Sequence, residues 1–158
     1  MDAGEPARST IAAKAFAVWL LLMTTAIANG LVRERLLVPR LGTGTAHVAS
    51  TALLCLLVFA ITLATIGWIA PRSAAGAIAV GTLWLVLVLL FEFGFGHFVA
   101  GRTWSELFAD YDLTRGRVWL AVPLVTWMAP FLTTRLRAGS GAPSAAAREQ
   151  ERRGNHGI

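Results

Sequence analysis

With 158 residues, 56% of them apolar and only 15% charged, the chain has room for one domain and carries a membrane-like composition. The apolar residues fall in blocks of about 18 or more, long enough to span a bilayer, with almost none of the polar faces a soluble helical core requires. A net charge of +5 does not point to nucleic acid, because the basic residues sit between and beyond the apolar blocks, where the flanks of membrane helices belong. The single cysteine, Cys55, lies inside an apolar run and forms neither an internal disulfide nor a paired redox centre.

In chain order, residues 1–10 are polar and small and are expected to be disordered. Arg8 and Lys14 precede the first apolar run, Ala15 to Val32, which only Thr24, Thr25, Asn29 and Gly30 interrupt. Ala26-Ile27-Ala28 resembles a leader-cleavage site, but Leu31 and Val32 extend the run to spanning length, so an uncleaved first helix is the better reading. From Arg33 to Thr45 the turn formers Pro39, Gly42 and Gly44 predict a short tight loop. A second helix is expected over 46–70. His47, Thr51, Cys55, Thr62 and Thr65 share a broad face of it that should look at protein, the hydroxyls bonding their own backbone or a neighbour.

Pro71, Arg72 and Ser73 read as a minimal turn into a third helix over 75–100. The small residues at its start, Ala75, Gly76, Ala79 and Gly81, permit close approach of a neighbouring backbone. It ends in an unusual stretch holding Glu92, Gly96 and His97, with space beside the carboxyl group where Gly96 lies one turn on. Thr103 and Glu106 have capping-box spacing, and Trp104, Leu107, Phe108 and Tyr111 recur at helical intervals, predicting a short interfacial helix over 104–111. Arg117 and Trp119 would anchor a fourth helix over 117–134, in which Pro123 and Pro130 leave the carbonyls of Trp119 and Thr126 without their helical donors. Residues 138–158 are expected to form a disordered tail. The fold class is therefore all-α: four transmembrane helices in an antiparallel bundle over 11–137, with an interfacial helix between the third and fourth.

Four spans gather the polar residues at the end opposite the termini. Asn29, Arg33, Glu34 and Arg40 close the first helix, and His47, Ser50 and Thr51 open the second. Glu92 and His97 close the third, and Asp110, Tyr111 and Arg117 lead into the fourth. Glu92 precedes Arg102 by about ten residues, roughly 15 Å of helix, which puts it near the middle of a roughly 30 Å hydrocarbon core. An acid at that depth is a functional-site hypothesis by default, and it would be protonated or would recruit a cation such as Arg33 or His47. The plainer reading is that an Arg–Glu and an Asp–Arg pair clip the helix ends together. Basic residues are slightly more numerous on the side of the termini (Arg8, Lys14, Arg72, Arg135, Arg137, Arg148, Arg152, Arg153) than opposite (Arg33, Arg35, Arg40, Arg102, Arg115, Arg117), which favours cytoplasmic termini.

Asn29-Gly30, Arg33-Glu34, Pro39, Leu41-Gly42, Ala46-His47 and Ser50-Thr51 form one patterned segment. Glu92-Phe93, Gly96-His97, Gly101, Trp104, Asp110-Tyr111, Gly116-Arg117 and Trp119 form another. Together they resemble a group of small bacterial four-helix integral membrane proteins, over roughly residues 14–135. The resemblance implies the four-helix architecture and a bacterial inner-membrane location, and it transfers no activity.

The residues suit a binding or transport protein whose polar end receives a polar or anionic ligand, a lipid headgroup or a proton. Glu92 would exchange charge while Arg33, Arg40 and Arg117 attract anions. A membrane-embedded enzyme is the alternative, with His47 and His97 acting beside Glu92 or Asp110 as acid/base groups or ligands. No close-spaced ligand motif such as His-Glu-x-x-His is present, so no metal is assigned, and a bis-histidine haem stays open. A third reading is an accessory subunit that packs the Gly/Ala-rich start of its third helix against a membrane-protein partner.

Overall fold

A computed structural model describes residues 5–99, 101–109 and 118–140. Helix α1 spans Glu5–Val32, a π-helical turn spans Arg33–Leu37, α2 spans Val38–Ile69, α3 spans Ala74–Phe98, α4 spans Trp104–Ala109 and α5 spans Ala121–Ser140. No strand occurs among the described residues.

The segment from Arg33 to Thr45, read from sequence as a loop, is helical almost throughout. Pro39 lacks an N–H, and its ring crowds the carbonyl one turn earlier, at Arg35. A widened turn relieves that crowding: the N–H of Val38 reaches back to the carbonyl of Arg33. The reversal is concentrated at Gly42, whose φ of 76° and ψ of 163° are open to glycine and strained for other residues. Two bonds show that α2 then runs back along α1. Lys14 Nζ donates to the carbonyl of Trp68 at 3.0 Å, and Asn29 Nδ2 to that of Ser50 at 3.1 Å.

Helix boundaries depart from the sequence reading elsewhere too. α1 begins at Glu5, because Pro6 is tolerated in a first turn and the alanines that follow favour helix. The last helix begins at Ala121 rather than Arg117 and continues to Ser140, into the stretch expected to be tail. Pro123 consequently falls in its first turn, where a missing N–H costs little, and the carbonyl of Trp119 accepts from the N–H of Val122 at 3.0 Å. Only Pro130 interrupts the helix interior. Between α2 and α3, Ala70 adopts a left-handed conformation, and the Ser73 hydroxyl caps α3 by accepting from the N–H of Gly76.

α5 packs against α2 and α3, and α1 packs against α2 and α3. The contact between α3 and α5 centres on Gly81, where an added Cβ would lie 2.0 Å from the carbonyl oxygen of Trp127. The indole of Trp127 also donates to Thr82 Oγ1 at 3.2 Å. Trp84 is fully buried, and its indole N–H donates to the carbonyl of Ala15, tying α3 to α1. Arg137, in the last turns of α5, donates to the carbonyl of Leu63 on α2. Buried Thr62, Thr126 and Thr133 return their hydroxyl protons to carbonyls one turn back, so polar atoms sit in the packed interior without requiring a second helix. Two helical stretches, Ser9–Ile69 and Ala74–Phe98, are long and apolar enough to cross a membrane.

Candidate functional site

Where α1 ends, α2 starts and α3 ends, a cavity of about 480 Å³ lies against the segment that enters α5. Each of these elements contributes a polar side chain. Arg33 comes from the π-helical turn, His47 from α2, Glu92 from α3, Arg102 from the link between α3 and α4, and Trp119 from the turn before α5. Phe91, Phe93, Phe95 and Leu107 form its apolar wall.

Glu92 is half-buried, and its Oε1 accepts from the indole N–H of Trp119 at 2.9 Å. Indole only donates, so it takes an acceptor oxygen of the acid and fixes the direction in which the acid points. His47 also packs on Trp119, with ring centroids 6.3 Å apart. The guanidinium of Arg33 donates through Nε to Glu34 Oε1 at 3.0 Å. That pair lies between adjacent residues, so it does not clip one helix to another, and the Glu34 side chain is 61% exposed. Beneath the cavity, Asn29 and Thr51 lie one helical turn deeper than Arg33 and His47 and are 7% and 2% exposed. Neither Asn29 Oδ1 nor Thr51 Oγ1 has a hydrogen-bond partner.

Two other sequence candidates, His97 and Arg40, do not line this cavity. His97 is turned toward α4: its Nδ1 lies 2.9 Å from the carbonyl of Arg102, and its ring stacks on Trp104 at 4.3 Å. Arg40 is exposed on the first turn of α2 and is not among the residues that line the cavity. Asp110, Tyr111 and Arg117 lie outside the described residues. Gly96 does lie beside Glu92 on α3, but Leu107 occupies the space it leaves, its Cδ2 only 2.7 Å from where a Cβ would stand. α4 is thus seated on α3. Its own start is fixed by the reciprocal bonds of Thr103 N–H to Glu106 Oε2 at 2.8 Å and Glu106 N–H to Thr103 Oγ1 at 3.3 Å.

Arg102 and Trp119 are the lining residues that the sequence did not single out. Both were legible as residues of a polar segment, yet an arginine and a tryptophan at helix ends read first as interfacial anchors. The need of Glu92 for a partner is read from the sequence as a call for Arg33 or His47, whereas Trp119 supplies one of its donors. Among the described residues, no three His, Cys, Asp or Glu side chains come together to hold a metal ion. Comparison with protein-family models, curated proteins and solved structures finds no match to this chain.

Proposed function

We propose that the chain is a multi-pass membrane protein, a bundle of four spanning helices, whose polar end binds the phosphate-bearing headgroup of a lipid. The observation that carries this reading is the shared cavity, in which the guanidinium groups of Arg33 and Arg102 stand beside an aromatic wall. Guanidinium groups recognise phosphate oxygens by charge-assisted, often paired hydrogen bonds. The adjoining phenyl rings suit the apolar portion of the same molecule.

Support for the membrane setting comes from the outer surfaces. Leu20, Leu21, Ile27, Leu56, Trp68, Ile78, Val86 and Leu90 are exposed along α1, α2 and α3. So much large apolar surface is suited to lipid and is an aggregation liability in water. α5 is less apolar, with Thr126, Thr133 and Pro130 buried, and it sits against both α2 and α3. That placement lets a less apolar helix span by showing protein rather than lipid on one side.

The test uses full-length protein in mild detergent and native mass spectrometry with chain-matched lipids. Phosphatidylglycerol should be retained about tenfold better than diacylglycerol, which lacks the phosphate, as one charge-assisted bond pair implies. Replacing both Arg33 and Arg102 by Ala should remove that difference. Equal retention of the two lipids by the native protein overturns the reading.

A further inference from the structure

We infer that a second lipid site lies at the other end of the bundle: a groove between α1 and α3 that takes an acyl chain of a phospholipid whose phosphate meets Arg72. The inference rests on the membrane setting proposed above and is independent of the cavity beside Glu92. The groove has a volume of about 630 Å³. Ala12 and Ala15 line it from α1, and Ala75, Gly76 and Ala79 from α3. Small residues on two helices usually admit close approach of the backbones, as Gly81 does toward Trp127 of α5. Here they do not: a Cβ added at Gly76 would find its three nearest neighbours in Pro71 and Ser73, at 3.6 Å or more, and α1 meets α3 over a shorter seam than α5 does. The small stripe at the start of α3 therefore borders an open groove and not a helix crossing.

Its length and its charge both select a lipid. From Ser73 to Leu83 the lining residues of α3 climb about 15 Å at the rise of a helix, half of a hydrocarbon core roughly 30 Å thick. At that depth the bond from the Trp84 indole to the carbonyl of Ala15, 2.8 Å long, ties the two helices together and closes the seam. A groove one leaflet deep matches an acyl chain, whereas a partner helix needs a seam running the full thickness. Ile11, Val80 and Leu83 complete an apolar lining, and the polar side chains, Arg72 and Ser73, stand together in the turn before α3. Arg72 is exposed there and forms no ion pair with any described residue. A guanidinium at the mouth of an apolar groove complements a phosphate joined to a hydrocarbon chain. The positive end of α3, which starts at Ala74, adds to the same attraction.

Native mass spectrometry of the full chain in mild detergent, with phosphatidylglycerol and chain-matched diacylglycerol, counts the sites. The native protein should retain two phosphatidylglycerol molecules, one in the cavity and one in the groove. Ala79 is exposed, so A79F puts a ring into the groove without overfilling the core, and it should retain one. R72A, in an exposed turn, should hold the second lipid about tenfold less well, the size of one charge-assisted bond pair. The variant lacking Arg33 and Arg102 should lose the other lipid and keep this one. Two lipids retained undiminished by both A79F and R72A overturn the groove. Two lipids retained by the variant lacking Arg33 and Arg102, with one retained by A79F, overturn the cavity reading and leave the groove standing. A native dimer that A79F splits into monomers with no loss of lipid per chain gives the groove to a second copy and overturns the lipid assignment. No retention of phosphatidylglycerol above diacylglycerol overturns both sites.

Discussion

The bond from Trp119 to Glu92 is the residue-scale feature on which the site turns. A carboxylate within a helix of this apolarity has few ways to be satisfied, and an indole from the turn before α5 supplies one at 2.9 Å. The bond joins α3 to the entry of α5, so it contributes to packing as well as to the direction of the acid. Trp119→Phe keeps most of the ring and deletes the donor. It should lower stability by about 1.5–3 kcal/mol, the usual worth of a hydrogen bond to a charged group. The control is the double variant: in an E92Q background the same change should cost distinctly less, since its charged partner is already gone. Thermal unfolding of the four proteins in one detergent measures the coupling. Additive losses would show that Trp119 acts by filling space and not by orienting the acid.

At the scale of elements, the closest approach is the crossing of α3 and α5 at Gly81. A methyl group there would meet the backbone oxygen of Trp127 at 2.0 Å, and backbone cannot swing aside as a side-chain tip can. Gly81→Ala should therefore destabilise the fold by about 1–3 kcal/mol, as overpacking does, read as a lowered unfolding midpoint. Gly96→Ala is the instructive contrast. Its methyl would meet only Leu107 Cδ2, at the end of a flexible side chain, so the cost should be smaller and should fall further when Leu107 is Ala. A Gly81 variant no less stable than the native protein would contradict the crossing. How far such elements were legible in the sequence depended on whether their cause was local. The capping pair Thr103 and Glu106, the Pro71–Ser73 turn and the small start of α3 announce themselves by spacing alone. The helical course of Arg33–Thr45 does not, because the same Pro39 and Gly42 that break a helix can be absorbed by one widened turn and one unusual φ. Nor was the seating of Leu107 against Gly96 readable, since it depends on how α4 folds back. The cavity itself was legible only in part: Arg33, His47 and Glu92 follow from where helices end, whereas Trp119 and the turning away of His97 are set by packing between elements.

The whole molecule places its two kinds of surface along one axis. Lys14, Arg72, Arg135 and Arg137 mark one end, and the cavity with Arg33, His47, Glu92 and Arg102 marks the other. Between them the flanks of α1, α2 and α3 are exposed Leu, Ile, Val and Trp. Because α2 returns along α1, residues near Gly42 and residues of the Pro71–Ser73 turn must lie at opposite ends. If the apolar band between these ends is the part in lipid, the two turns face different aqueous compartments, and the orientation expected from the basic residues of the sequence has the Pro71–Ser73 turn in the cytoplasm. This arrangement predicts a labelling pattern. In a Cys55→Ala background, Arg40→Cys should react with a membrane-impermeant maleimide on intact cells, and Arg72→Cys only after the membrane is opened. Both positions are exposed, so access is set by the bilayer and not by burial in the protein. The reverse pattern would keep the spanning arrangement and invert its orientation. Equal labelling of both positions on intact cells would place the two ends of the helices in one compartment. The exposed apolar flanks would then have to be covered by another protein chain, not by lipid.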